Sequence, residues 1–291
     1  MSSNNRKRRR KKSKRARLYL FGGGILAAMV LLLVLGLTSS AGRTEARADA
    51  GKKENKKQEN PAGQADSVTA YSALEVEGPF VIVLDPGHDS CHIGAEANGL
   101  KEEDVDWLLA QKIKEELETY RDVAVYYTVE NNQCTWKNLD ATEELGARAD
   151  KAADYHANLL VSLHFNYSDR KSQSGFTIYY PNANYKPLLS QEGAGAAASI
   201  ERQLSDLGLA DEGIKTMESE DNPDYPDHST ADYHGIIRHS KLKGFTGILI
   251  EHCYISNIHD VYNFMNSDEG IAKLAHADAQ GIADYYGLVK K

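Results

Sequence analysis

Three side chains able to bind a metal or move a proton stand where apolar runs end. His88 follows VIVLDPG, His164 follows LLVS and Glu251 follows GILI. A buried strand has no packing use for an imidazole or a carboxylate at its mouth, because a buried charge is costly unless it is paired or bound to metal. Two imidazoles and a carboxylate, with one position left for water, form the donor set of a catalytic zinc site. His88 and His164 supply two of these donors, and the third would come from the run Glu102-Glu103-Asp104 that follows Lys101. Composition alone does not choose among those acids. Each residue also has a plainer reading: a strand-end histidine as a hydrogen-bonded structural residue, and acids in the first turn of a helix as partners of its dipole.

The elements that must position these groups are legible in the hydrophobic pattern. PFVIVLDPGH reads as a buried strand stopped by Asp-Pro-Gly, and ANLLVSLHFN (157–166) as a second buried strand. Further strands are predicted at VAVYYTV (123–129), GFTIYYP (175–181) and TGILIEHCYISN (246–257). Val105, Leu108, Leu109, Ile113 and Leu117 fall at helical spacing, so a helix is predicted from Glu102 to Tyr120. Others are predicted at 140–158, with Asp140 as N-cap, at 187–207 and at 268–286. The tract 218–235 reads as an irregular surface loop. Strands alternating with helices predict an α/β fold: a single domain with a mostly parallel mixed sheet flanked by helices on both faces. In such sheets ligands bind beyond the carboxyl ends of the strands, which brings His88, His164 and Glu251 to one crevice.

The order and wording of four segments add a resemblance. LDPGH, GLKEEDV, VSLHFN and ILIEHCYISN, in that order from about Phe80 to Tyr286, resemble the zinc-dependent N-acetylmuramoyl-L-alanine amidase family of the Amidase_3 type. The resemblance implies that His88, Glu102 and His164 bind Zn2+ and that Glu251 is the catalytic base. It selects Glu102 over Glu103, because the family's ligand directly follows the lysine of that segment. It also implies a peptidoglycan substrate, cut at the amide between N-acetylmuramic acid and the L-alanine of the stem peptide. Alternatives are a zinc peptidase or amidase acting on another cell-wall amide, and a catalytically inactive wall-binding domain. Arg148 matches a frequent family arginine, with a salt bridge to a carboxylate as its expected role; Asn166 and Asn257 are expected to support loops around the site.

Two places depart from the family pattern: Asp89-Ser90-Cys91-His92 after the first histidine, and His252-Cys253-Tyr254 after Glu251. Both put a thiol and an imidazole near the expected site. Inert thiols are the default expectation, with a Cys91–Cys253 disulfide and a site role for His92 as the alternatives. Three cysteines are too few for a disulfide scaffold, and without a CxxC pair a finger-type zinc site is excluded. His156, His228, His234, His239, His259 and His276 read as surface or structural residues, with His228 and His234 also placed where they could line a groove.

The net charge of −8 hides a split. Residues 1–17 carry ten Lys or Arg and no acid, leaving 24 bases against 42 acids in the rest. So acidic a body is a poor partner for nucleic acid, whose binding runs on Lys and Arg. The uncharged stretch 18–42 would span roughly 37 Å as a helix, enough for a bilayer core of about 30 Å. It is therefore expected to be a transmembrane signal-anchor, with 1–17 as a cytoplasmic basic arm by the positive-inside rule. Its length favours an uncleaved anchor over a secretory signal, whose apolar core runs about 7–15 residues; if it is cleaved, the chain is secreted. Residues 43–77 are expected to be a flexible linker, and 78–291 an extracytoplasmic catalytic domain.

Overall fold

The structure is a computed structural model that describes residues 78–219, 221 and 223–291. The expected arm at 1–17, membrane-spanning helix at 18–42 and linker at 43–77 lie outside the described residues. Among the described residues no helix is long and apolar enough to cross a membrane. The expected localisation, single-pass in the cell membrane, is therefore corrected. The longest described helices, of 20 and 19 residues, have charged faces and pack against each other instead.

Six strands form a mixed sheet in the order β4-β1-β5-β8-β6-β7. These are β1 (Phe80–Pro86), β4 (Val123–Tyr127), β5 (Leu159–Asn166), β6 (Phe176–Tyr179), β7 (Asp211–Lys215) and β8 (Thr246–Tyr254). All neighbouring pairs are parallel except β6–β8, which is antiparallel. A two-stranded antiparallel hairpin, β2 (Glu96–Ala97) and β3 (Leu100–Lys101), stands apart and leads into α1 (Glu102–Leu117).

The central strands are covered on both faces, which is why they read as continuous apolar runs rather than alternating ones. On one face, Ile82, Leu84, Val161, Leu163, Ile248 and Ile250 pack under α1, α3 (Pro187–Asp206) and α6 (Asp268–Tyr286). On the other, Val83, Leu160 and Leu249 pack under α2 (Ala141–Asp154) and α4 (Gly235–Lys243). The start of α2 is set by a capping box: Asp140 accepts from the N–H groups of Thr142 and Glu143, and Glu143 accepts in return from the Asp140 N–H. A short helix, α5 (Ile258–Asp260), and a π-helical turn at Val261–Met265 connect β8 to α6.

Two elements depart from expectation. DEGIK forms β7 although it carries three charged residues and a glycine, because an edge strand needs only one pairing partner. The tract 218–235 is not merely a surface loop. Tyr225 and Asp232 are buried in it, the Tyr225 hydroxyl donates to Asp232 at 2.5 Å, and buried Lys241 of α4 pairs with the same carboxylate. The tract thus folds back on a helix that its polar composition concealed.

Candidate metal centre

The carboxyl ends of β1, β5 and β8 lie side by side, and the sequence-predicted residues converge there. His164 of β5 is the direct register partner of Glu251 in β8, so the two side chains leave the same face of the sheet. His88 stands two residues beyond the end of β1, after Gly87. Glu102 is the first residue of α1, delivered by the β2–β3 hairpin. Its backbone N–H donates to the Ala95 carbonyl at 2.9 Å, and its Oε2 accepts from the Ala95 N–H at 2.7 Å.

Glu102 Oε1 lies 3.3 Å from His88 Nε2 and 3.3 Å from His164 Nδ1, and accepts from the Phe165 N–H at 3.2 Å. Hydrogen bonding assigns both imidazole tautomers. His88 Nδ1 faces the His92 carbonyl at 3.0 Å, which can only accept, so Nδ1 carries the proton and Nε2 presents a lone pair. Ser162 Oγ donates to Asp85 Oδ2 at 2.7 Å, so its oxygen accepts from His164 Nε2 at 3.3 Å. That leaves the lone pair on His164 Nδ1. Two imidazole lone pairs and one carboxylate oxygen thus face a common point, which is stable only with positive charge between them. This donor chemistry fits a divalent cation such as Zn2+.

Protons can take the same two positions: burial works to raise the Glu102 carboxyl, but His164 and His88, when protonated there, hold it well below the carboxylate range. Burial works against a charged His88, yet Glu102 raises its pKa above the ordinary value. Burial raises the Glu251 carboxyl, with opposing contributions from His164 and Glu102, and its Oε2 has no hydrogen-bond partner among the described residues.

The backbone makes room at two glycines. A Cβ at Gly87 would lie 2.1 Å from Cε1 of His164, and one at Gly94 would lie 2.5 Å from Glu102 Oε2 and 2.7 Å from His88 Cδ2. Beneath the site, Arg148 is fully buried. It donates to Asp85 Oδ1 at 2.9 Å, to the Pro86 carbonyl at 2.5 Å and, through Nε and NH2, to Glu144 Oε1 at 3.0 and 2.8 Å. Through Asp85 and Ser162 it braces His164; through Pro86 it braces the turn carrying His88. Burial opposes its charge, but Asp85 and Glu144 raise its pKa beyond the ordinary arginine value.

At the two departures Cys253 matches the expected inert thiol and Cys91 does not. Cys91 is disulfide-bonded to Cys134 rather than to Cys253, with Cα atoms 5.3 Å apart, and Cys253 is a buried free thiol. His92 sits one layer out: its carbonyl accepts from His88 and its Nδ1 lies 2.7 Å from Glu144 Oε2. His252 points away from Glu251 by strand alternation, pairing with Asp278 of α6 at 2.8 Å and with the His164 carbonyl at 3.1 Å. Asn166 accepts from the Tyr167 N–H, while Asn257 caps α5 and donates to the Gln173 carbonyl. His234 lies against the Tyr179 ring, 4.3 Å between centroids. Burial, with the charge of His164, lowers its pKa to about 4.

One residue of the site escaped the sequence reading. Asp106, one turn after Glu102, is 0% exposed, and its carboxylate has no hydrogen-bond partner among the described residues. His88, Glu102, Asp106 and His164 each offer one donor atom, and these atoms lie within 4.8 Å of one another. Burial pushes the Asp106 carboxyl well above its ordinary value, and the charges of Glu102 and Glu251 add to the effect. The signal was present as an acid within the buried stripe of α1, between Val105 and Leu109. A pocket of about 610 Å³ between α2 and α4, lined by Leu139, Arg238 and His239 among others, shares no residue with this site. It lacks such a convergence of donors, so the strand ends are the stronger candidate.

Residues 82–284 match the family model described as N-acetylmuramoyl-L-alanine amidase, Amidase_3. The chain belongs to that family. The matched segment is therefore an amidase domain, a hydrolase. The chain is 29% identical over 231 residues to the N-acetylmuramoyl-L-alanine amidase LytC of Bacillus subtilis, covering 77% of this chain and 40% of that protein. It is 27% identical to the endolysin of Bacillus phage SPP1, covering 72% of this chain and 68% of the endolysin. The fold resembles the catalytic domain of CwlV, an N-acetylmuramoyl-L-alanine amidase from Bacillus (Paenibacillus) polymyxa var. colistinus. That similarity has a TM-score of 0.55 at 22% identity and covers 72% of this chain and 99% of that one.

Proposed function

We propose that this chain hydrolyses peptidoglycan at the amide joining the lactyl group of N-acetylmuramic acid to the L-alanine of the stem peptide. His88, Glu102 and His164 hold Zn2+, and Glu251 is the general base. The observation that carries this reading is the convergence of two assigned imidazole lone pairs on Glu102 Oε1, with Glu251 in register beside His164. Family membership supports the choice of bond.

Zinc, when bound, supplies Lewis-acid charge for the scissile carbonyl and acidifies water. Glu251 takes the proton of the attacking water and delivers it to the departing alanine nitrogen, which leaves as an amine. Its burial suits both halves of that role, because a carboxyl with a raised pKa accepts the proton and keeps it long enough to pass it on. Asp85, Ser162 and Arg148 hold His164 in the ligating tautomer, and the His92 carbonyl does the same for His88.

The test is digestion of purified muropeptides followed by mass spectrometry. Glycan bearing free lactyl carboxylates on muramic acid, together with peptides beginning at L-alanine, is the expected product pair, and chelator abolishes its formation. Products cut at a different amide would replace this reading with the peptidase alternative, and binding without turnover would replace it with the wall-binding one.

A further inference from the structure

The three-ligand reading leaves a buried carboxylate unexplained. Asp106 lies four residues after Glu102 on α1, and residues at that spacing share a helix face. It is 0% exposed, and both its oxygens lack a hydrogen-bond partner among the described residues. The charges that raise its carboxyl are those of Glu102, Glu251 and Asp85, all carboxylates, offset in part by the His88 backbone N–H. An orphaned, desolvated carboxylate is strongly unfavourable as an anion, so it is relieved either by a proton or by a cation shared with the neighbouring donors.

The spacing supplies the place for that cation. One donor atom from each of His88, Glu102, Asp106 and His164 lies within 4.8 Å of the others. Ligands held at about 2.0–2.2 Å from one metal ion are at most about 4.4 Å apart, so a small inward adjustment seats all four. We propose that Asp106 is a fourth protein ligand of the metal centre, giving a set of two imidazoles and two carboxylates. This rests on the reading that the crevice holds a metal. Two carboxylates neutralise a divalent cation fully, and the added oxygen donor shifts the site toward harder metals than a two-histidine, one-carboxylate set selects.

The test uses the full-length chain stripped of metal, with D106N and D106L beside wild type. Zinc affinity is read by competition with a chromophoric chelator, and zinc-induced stabilisation by thermal unfolding with and without zinc. The expected result is a loss of affinity of at least about tenfold in both variants and a correspondingly smaller zinc-induced rise in Tm. Metal-free D106L should be at least as stable as metal-free wild type, because the orphaned acid is gone; an Asp106 with only a structural role predicts the reverse. The visible spectrum of the cobalt-substituted protein checks the same point, since loss of one oxygen donor in D106L changes its bands. Wild-type zinc affinity in both variants, or a cobalt spectrum unchanged by D106L, would overturn the proposal. If wild type takes up no zinc at all, the metal-centre reading itself fails, and this proposal with it.

Discussion

At the residue scale, the site separates groups that hold from groups that react. Glu251 lies outside the set of mutually close donors, so E251Q should keep its zinc and lose about 10²- to 10⁴-fold in turnover, the usual worth of a positioned base. Metal analysis alongside a muropeptide assay checks both halves, and a variant within tenfold of wild type would remove Glu251 from the reaction. G87A behaves differently. The new methyl group meets the His164 ring, so the folded protein should lose metal affinity by an order of magnitude or more while Glu251 stays intact. Zinc titration of G87A with its circular dichroism spectrum tests this. His88, His164 and Glu251 were legible because polar side chains at the ends of apolar strands need a reason. Asp106 was not, because one acid in a helix that begins Glu-Glu-Asp attracts no notice until its burial is known.

At the scale of elements, α2 matters to the site as much as the strands do, because it carries Arg148. Removing the one buried cation among Asp85, Asp89 and Glu144 should be severe, and R148M is expected to cost about 3–5 kcal/mol in urea unfolding of the chelator-treated protein. A loss below about 1 kcal/mol would mean that the carboxylates are held by something else. The Cys91–Cys134 bridge ties the segment after His88 to the loop before α2 across 43 positions. Loop-closure entropy puts its worth at about 4 kcal/mol, to be seen as a lower urea midpoint after reduction. Cysteine spacing could not reveal this pairing, since the two residues meet only after β1 and β4 have paired. The α4 entrance brings a pH dependence through His234. Its pKa is about 4 in the folded chain against about 6.5 unfolded. The unfolded state therefore binds the proton first, so stability is complete above pH 6.5 and falls as pH drops from there toward 4, by on the order of 3 kcal/mol. H234Q should flatten that limb of the metal-free stability profile, and an unchanged slope would assign it to other groups.

At the scale of the whole molecule, the layered α/β arrangement was legible because strands buried on both faces leave uninterrupted apolar runs, as in VIVL and GILI. What the pattern concealed lies at the margins. β7 is charged and short, and α4 follows a polar tract whose buried tyrosine and aspartate bind each other rather than water. The sheet's two outer strands are also where a folded chain of this kind is exposed to its neighbours. Along β4, Lys114 donates to the Val125 carbonyl, occupying an acceptor that another chain would need, and Tyr126 is stacked on Tyr155. Along β7, Asp211, Glu212 and Lys215 flank Gly213 at φ 90°, and the register with β6 shifts. Neither margin offers a straight, apolar template for a foreign strand, so the sheet is guarded against edge-to-edge aggregation.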